Sequence, residues 1–115
     1  MNNKLIINYC KGAMPMSDFE CEEYVEVSYN MLKDKTKDII INISSELLIT
    51  VARGMIVQGR LDSERVLFAH ENDIIGYADK NGRLTNWPKG FCDTYDHWLN
   101  IICFKIKVED SELSR

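Results

Sequence analysis

The feature that most constrains this sequence is a run of isoleucines in its first half. Ile39-Ile40-Ile41-Asn42-Ile43 follows Asp38 and has the length of a strand, and its branched side chains favour β structure. A strand with one face in water alternates apolar and polar residues, whereas this run is nearly continuous. Such continuity is typical of a strand that is covered on both faces, as in a parallel sheet flanked by helices. The run therefore predicts an α/β fold with a buried parallel strand.

The residues around this strand predict further strands and two helices. Leu5 to Tyr9 has strand length and is followed by turn-forming residues. Ser17 and Glu20 form a capping box, which predicts a helix from there to Lys33 or Lys35, and Ser45 offers a second cap. The predicted apolar faces are Cys21, Tyr24, Val25, Ser28 and Leu32 in the first helix, and Leu48, Val51, Ala52, Met55 and Ile56 in the second.

The second half predicts a hairpin followed by a third helix. Residues 65–70 and 74–78 are strand-like and are separated by Glu71-Asn72-Asp73, which has turn composition. A helix capped by Asp93 or Thr94 would extend to Lys107. The fold class is therefore predicted to be α/β, with a small, mostly parallel sheet, a C-terminal hairpin and three helices. Residues 1–108 form one domain in this interpretation, and 109–115 form a polar tail.

Composition limits what the chain can do. Its 115 residues suffice for one domain, and a net charge of −4 without clustered bases argues against a nucleic-acid-binding face. The apolar runs are far shorter than the roughly 20 residues that a membrane helix needs. The polar start at Asn2, Asn3 and Lys4 does not resemble a signal peptide. We expect a cytoplasmic protein that binds neither nucleic acid nor membrane.

No residue pattern predicts a metal or cofactor. The cysteines at 10, 21, 92 and 103 form no CxxC pair, and we expect them to be reduced and largely buried. His70 and His97 lie on different predicted elements without acidic or cysteine ligands at metal spacing. The chain contains neither a phosphate-binding glycine loop with its lysine nor a dinucleotide-binding G-x-G-x-x-G. We therefore assign no catalytic residue, no metal and no cofactor.

An unusual loop places aromatic residues close together. Trp87-Pro88 is followed by Gly90-Phe91, so two large rings lie on a short segment with one fixed and one permissive backbone position. The rings could fold onto the sheet, or they could anchor a partner protein. The same two alternatives apply to the apolar face of the third predicted helix. The candidate partner-binding residues are Trp87, Tyr95, Trp98 and Ile102.

Several short motifs between Asp38 and Phe91 occur in the order of a known family. They are Ile39 to Ile43, Ser45-Glu46-Leu47-Leu48, Gly59-Arg60-Leu61, Val66 to Phe68, Asn81-Gly82-Arg83 and Asn86-Trp87-Pro88-Lys89-Gly90-Phe91. This stretch resembles the C-terminal part of the ABC-type ATPase domain found in bacterial AAA-like ATPases of the overcoming-lysogenization-defect and anti-phage class. The Asn-Trp-Pro-x-Gly-Phe piece is the most specific element. The resemblance implies an α/β fold like half of an ATPase lobe.

The resemblance also implies which catalytic groups are missing. Leu5-Ile6-Ile7 resembles the Walker B strand of the family, but Asn8 and Tyr9 occupy the places of its magnesium-binding Asp and of the Glu that orients water. Ser44 stands where the family has a His that senses the γ-phosphate. An amide cannot neutralise Mg²⁺ as a carboxylate does, and a phenol is a poor base at neutral pH. These replacements imply a degenerate ATPase domain without metal-assisted phosphoryl transfer.

We therefore expect a non-enzymatic subunit that binds another protein. By the resemblance, the partner is an ABC-type ATPase or an effector in a bacterial anti-phage defence complex, and a homo-oligomer is possible. Half of a lobe leaves a strand edge and a sheet face that a partner could cover. Two alternatives stay open: the chain could contribute Ser45 and Glu46 to a nucleotide site held by another subunit, or it could regulate or inhibit such an ATPase.

Overall fold

Within the described residues, four strands and two α-helices follow one another in the order that the apolar runs predict. The computed structural model describes residues 3–13, 16–84, 86, 88, 101 and 102, with only the backbone for residues 18 and 19. Its elements are β1 (Leu5–Tyr9), α1 (Asp18–Asn30), a 3-10 turn (Met31–Asp34), β2 (Ile39–Ile43), α2 (Glu46–Val57), a second 3-10 turn (Ser63–Arg65), β3 (Val66–His70) and β4 (Asp73–Tyr77).

The strands form one sheet in the order β2-β1-β3-β4. Strand β1 lies in the middle and runs parallel to both β2 and β3, with Ile7 aligned to Ile41 on one side and to Phe68 on the other. Strands β3 and β4 form an antiparallel hairpin. The predicted α/β class, the mostly parallel sheet and the hairpin are confirmed.

Both helices begin at the serines that the sequence indicates. The Ser17 backbone N–H donates to Glu20 Oε2 at 3.3 Å, as expected of a capping box. The Ser45 hydroxyl accepts from the Leu48 N–H at 3.3 Å. Tyr24 differs from the prediction, because it is 38% exposed while its neighbour Val25 is fully buried. It lies at the margin of the buried stripe, and its ring is turned outward.

The core lies on one face of the sheet. The side chains of Leu5, Ile7, Val66 and Phe68 are fully buried there, because alternate residues of aligned strands point to the same face. Helices α1 and α2 contact each other and contribute to this same cluster. Their buried residues are Cys21, Val25, Leu48, Ile49, Ala52, Met55 and Ile56.

The prediction that β2 is covered on both faces is wrong for the described residues. Ile41 and Ile43 point into the core, but Ile40 is 60% exposed and Asn42 is exposed. Strand β2 is parallel to β1, as predicted, yet it forms an edge of the described sheet. A continuous apolar run favours two covered faces but does not require them, because the neighbours of a strand in the fold decide which of its side chains are buried.

The third predicted helix lies mostly outside the described residues. Ile101 and Ile102 are helical and exposed, but the remainder of 93–107 and the polar tail at 109–115 are not described, so the count of three helices is not confirmed. Among the cysteines, Cys21 is buried and Cys10 is half-buried, and both are free thiols. Cys92, Cys103 and His97 lie outside the described residues.

An ion-pair cluster connects α1 to the segment that follows α2. The Arg60 guanidinium bonds Glu22 and lies 3.4 Å from Glu26. The hydrogen bond from Arg60 to Glu22 is the main reason why the pKa of Arg60 is raised. All three side chains are substantially exposed, so the cluster orients the surface of α1 and adds little to stability.

The turn after β4 rests directly on α2. Gly82 is buried with φ +74°, and its carbonyl oxygen accepts from Arg53 Nε at 2.6 Å. A Cβ at this position would lie 2.9 Å from the Arg53 carbonyl oxygen and 3.0 Å from Val57 Cγ2. Both the backbone conformation and the close approach therefore require glycine.

We expect Gly82→Ala to lower the free energy of unfolding by about 2–4 kcal/mol, from left-handed strain plus overpacking. Urea denaturation measures the change. Gly54→Ala is the matched control, because Gly54 is an exposed residue inside α2 where an added Cβ would have nothing within 4 Å. It should stabilise the chain by about 0.5–1 kcal/mol. Equal effects of the two substitutions would contradict the packing of the turn on α2.

Candidate interaction face

The face of the sheet opposite the helices carries a row of apolar side chains, one from each strand. Ile6 is aligned with Ile40 on β2 and with Leu67 on β3, and Leu67 is paired with Tyr77 on β4. Aligned residues share a face, so the four side chains lie side by side across the strands. We call them the apolar row, and we call the sheet face that carries them the open face.

The two ends of the apolar row are its most exposed parts. Ile40 is 60% exposed and Tyr77 is 44% exposed, while Ile6 and Leu67 are half-buried. Lys4 lies on the same face, with Nζ 5.2 Å from the centroid of the Tyr77 ring, and it donates to the Glu64 carbonyl oxygen at 3.0 Å. Within the described residues, neither α-helix packs on this face. A sheet face of this kind can be covered by a partner.

A cluster of three asparagines lies on the open face at the carboxyl ends of the parallel strands. Asn8 is only 3% exposed, and its Nδ2 donates to Asn42 Oδ1 and to Asn72 Oδ1, both at 2.9 Å. Asn8 Oδ1 accepts from the Asn72 backbone N–H at 3.0 Å. Cys10 Sγ lies 3.0 Å from the same Nδ2. We call Asn8, Asn42 and Asn72 the asparagine cluster.

The chemistry of this cluster depends on residue 8 being a donor. An amide nitrogen carries two hydrogens. Here three acceptors surround it, namely two amide oxygens and a sulfur atom. A carboxylate at this position would have no hydrogen to offer and would be buried beside oxygen atoms. The asparagine therefore has a structural use: it ties the ends of β1 and β2 to the β3–β4 turn. No group of three potential metal-binding His, Cys, Asp or Glu residues occurs in the part of the chain that the structure describes.

The β3–β4 turn is held in a conformation that few side chains adopt. Glu71 and Asn72 have φ values of 48° and 72°, as in the two-residue hairpin turns that match the twist of a sheet. The Glu71 N–H donates to the Tyr9 carbonyl oxygen at 2.7 Å, and the Glu71 carboxylate accepts from the Lys11 N–H at 2.9 Å. These bonds, together with those of Asn72, fix the turn against the end of β1.

The positions that the resemblance assigns to lost catalytic groups lie at the carboxyl ends of two neighbouring parallel strands. Asn8 and Tyr9 end β1, and Ser44 directly follows β2. Asn8 points to the open face, whereas Tyr9 points to the helix face and stacks on His70, with ring centroids 5.6 Å apart and planes 6° from parallel. His70 also lines a shallow cavity of about 490 Å³ with Asp73, Ile74, Ile75, Asn86 and Pro88.

Most of the predicted partner-binding residues cannot be placed. Trp87, Tyr95 and Trp98 lie outside the described residues, and Ile102 is 53% exposed beside Ile101, which is 44% exposed. The apolar row was not predicted, because it joins residues from four separate strands. The only sequence signal for it was the continuity of the runs that contain Ile6 and Ile40, which shows that the residue on each face of the strand is apolar.

Comparisons with known proteins do not assign the chain to a family. No protein-family model matches it, and no curated protein or solved structure matches it either. None of the helices within the described ranges has the length and apolar character needed to cross a lipid bilayer.

We expect the Asn72 side chain to stabilise the turn in two separable ways. One contribution is the hydrogen bond that Asn72 Oδ1 accepts from Asn8 Nδ2, and the other is its tolerance of a positive φ. Asn72→Gly removes this side-chain bond but keeps the bond of the backbone N–H and a residue that tolerates a positive φ, so the cost should be about 1 kcal/mol. Asn72→Ala removes the same side-chain bond and adds left-handed strain, so its cost should be greater by about 1 kcal/mol. Urea denaturation of both variants measures the two costs. If alanine and glycine were equally destabilising, the positive φ at this turn would be refuted.

Proposed function

We propose that this chain is a non-catalytic subunit that binds another protein through its open face, and that the partner is an ABC-type ATPase or an effector of a bacterial anti-phage defence complex. One observation carries the binding function: the apolar row crosses all four strands on a face that neither α1 nor α2 covers. The identity of the partner follows from the resemblance of residues 38–91 to the ATPase family.

The chemistry of residue 8 supports a role without catalysis. Magnesium-assisted phosphoryl transfer uses a carboxylate at the end of the Walker B strand. Asn8 is neutral, and its amide is engaged with Asn42 and Asn72. Likewise, the Ser45 hydroxyl is engaged in capping α2, which leaves less reason to assign it to a nucleotide bound by another subunit. The side chains of Asn8 and Ser45 thus both form hydrogen bonds within this chain.

The physical basis of binding is the removal of apolar surface from water. Burial of a large apolar side chain stabilises a complex by roughly 1.5–3 kcal/mol. Ile40 and Tyr77, at the two ends of the apolar row, leave the largest exposed fractions for a partner to cover. Aromatic residues with an apolar ring and a polar tip are frequent anchors of such contacts. Tyr77 is therefore the residue through which the proposal is best tested.

We expect Tyr77→Glu to weaken binding to an ABC-type ATPase from the same gene neighbourhood by at least about tenfold, measured by biolayer interferometry with the purified proteins. The reason is that the variant would place a charge in an apolar contact. The control is Val27→Glu, because Val27 is 52% exposed on α1, away from the open face. It should leave the affinity unchanged. Loss of binding in the Val27 variant alone would place the contact on α1 and contradict the assignment to the open face.

We also expect no magnesium-dependent binding of ATP by the purified chain. Isothermal titration calorimetry with ATP, in the presence and absence of Mg²⁺, checks this expectation. The physical reason is the absence of a carboxylate at residue 8 and of a phosphate-binding glycine loop in the sequence. Tight binding that depends on Mg²⁺ would refute the non-catalytic role and favour a nucleotide-binding subunit.

A further inference from the structure

The outer edge of β2 has backbone groups that face away from the sheet. The Ile39 N–H donates to the Lys4 carbonyl oxygen at 2.9 Å, and the Ile43 carbonyl oxygen accepts from the Cys10 N–H at 2.7 Å. In a parallel ladder, alternate residues direct both backbone groups to the same neighbour. Ile39, Ile41 and Ile43 therefore pair with β1, and the N–H and C=O groups of Ile40 and Asn42 point outward. No strand of the described residues pairs with β2 on that side.

This edge lacks the features by which proteins protect exposed strands. Strand β2 contains no proline and no charged residue, and its register with β1 is regular over all five residues. The opposite edge, β4, differs in charge and in regularity. It begins with Asp73, its pairing with β3 has a register shift, and Gly76 has φ +137°. The unprotected edge of β2 is thus the one suited to strand pairing.

We infer that β2 pairs in antiparallel orientation with β2 of a second copy of this chain, with Ile40 opposite the second copy's Ile40, so that the two chains form one continuous eight-stranded sheet. The pairing uses the outward backbone groups of Ile40. It also follows the two-fold symmetry that most homodimers have. This inference does not depend on the proposed partner, because the pairing is made by backbone groups at the edge of β2; the Ile40 side chain belongs to both surfaces.

The side chains of β2 are complementary to themselves in this register. Asp38, Ile40 and Asn42 share the open face, and all three are exposed. Pairing Ile40 with its own copy places each Asn42 opposite an Asp38, so that an amide meets a carboxylate. A shift that paired Ile40 with Asn42 would set an apolar side chain against a polar one. Registers other than the one inferred lose either the apolar pair or the polar pairs.

The charged residue next to β2 also favours the antiparallel orientation. In-register parallel pairing would set Asp38 of one chain against Asp38 of the other, and like charges directly opposite each other are destabilising. Antiparallel pairing sets Asp38 opposite the neutral Asn42 instead. The carboxylate of Asp38 is held in place by the Lys4 N–H at 2.8 Å, so the strand end is already ordered.

The pairing would extend the open face. A two-fold axis perpendicular to the sheet keeps all helices on one side and joins the apolar rows end to end at the Ile40 pair. The resulting surface would carry the apolar rows of both chains, from Tyr77 of one chain to Tyr77 of the other. Where the open face binds a partner, the dimer would present twice the area for that contact.

The first test is the mass of the full chain in solution as a function of concentration, measured by sedimentation velocity. We expect wild type to form a dimer of twice 13.3 kDa. Ile40→Lys should raise the dimer dissociation constant at least about tenfold, because it opposes two lysines. Ile74→Lys is the matched control, since Ile74 is 59% exposed on β4, against 60% for Ile40, and it should dimerise like wild type. Circular dichroism verifies that both variants are folded.

The second test reports the register. Ile40→Cys should form a covalent dimer on mild oxidation, because directly opposed residues of antiparallel strands have Cα atoms about 5.5 Å apart, within the reach of a disulfide. Ile74→Cys, with the same native cysteines, should not. A monomeric wild type at all concentrations would overturn the inference, as would equal dissociation of the two lysine variants or equal cross-linking of the two cysteine variants. Binding of the ATPase is measured in a separate experiment. A negative result for dimerisation therefore does not affect the test of ATPase binding, and the reverse also holds.

Discussion

The position of β1 between two parallel neighbours is the constraint on which the rest of the structure depends. Leu5 and Ile7 are fully buried because β2 and β3 flank them in the sheet and the two helices cover them on one face. The same strand ends in Asn8 and Tyr9, and Asn8 binds side chains from β2 and from the β3–β4 turn. Strand β1 thus aligns both its neighbours and the turn beyond them.

The connections around β1 explain why neither α1 nor α2 lies on the open face. The chain passes from β1 to β2 on one side, and then from β2 across β1 to β3 on the other. Two right-handed connections that run in opposite directions would place their helices on opposite faces. Here α1 and α2 contact each other and share a single core, so the two connections have opposite hands. The open face is a direct result of this arrangement.

Local signals in the sequence predicted the elements, and they failed where contacts between distant residues decide. Ser17, Ser45 and the Glu71-Asn72 turn act within a few residues, so the helix starts and the hairpin could be predicted. The environment of β2 could not, because an isoleucine run favours coverage of both faces, yet Ile40 is 60% exposed on the outer face. The asparagine cluster could not be predicted from local patterns either, since Asn8 lies 34 residues from Asn42 and 64 from Asn72 in the sequence.

The asparagine cluster shows why an amide suits the end of a central parallel strand in this fold. A carboxylate at the end of a central parallel strand is suited to hold a metal ion, but it must stay accessible and be balanced by positive charge. The neutral amide of Asn8 needs neither, and only 3% of this residue is exposed to solvent. It can donate to oxygens on two neighbouring elements at once, which a carboxylate cannot do. In this chain the position fastens the β3–β4 turn to the end of β1, and the apolar row and the outer edge of β2 lie on other parts of the described surface.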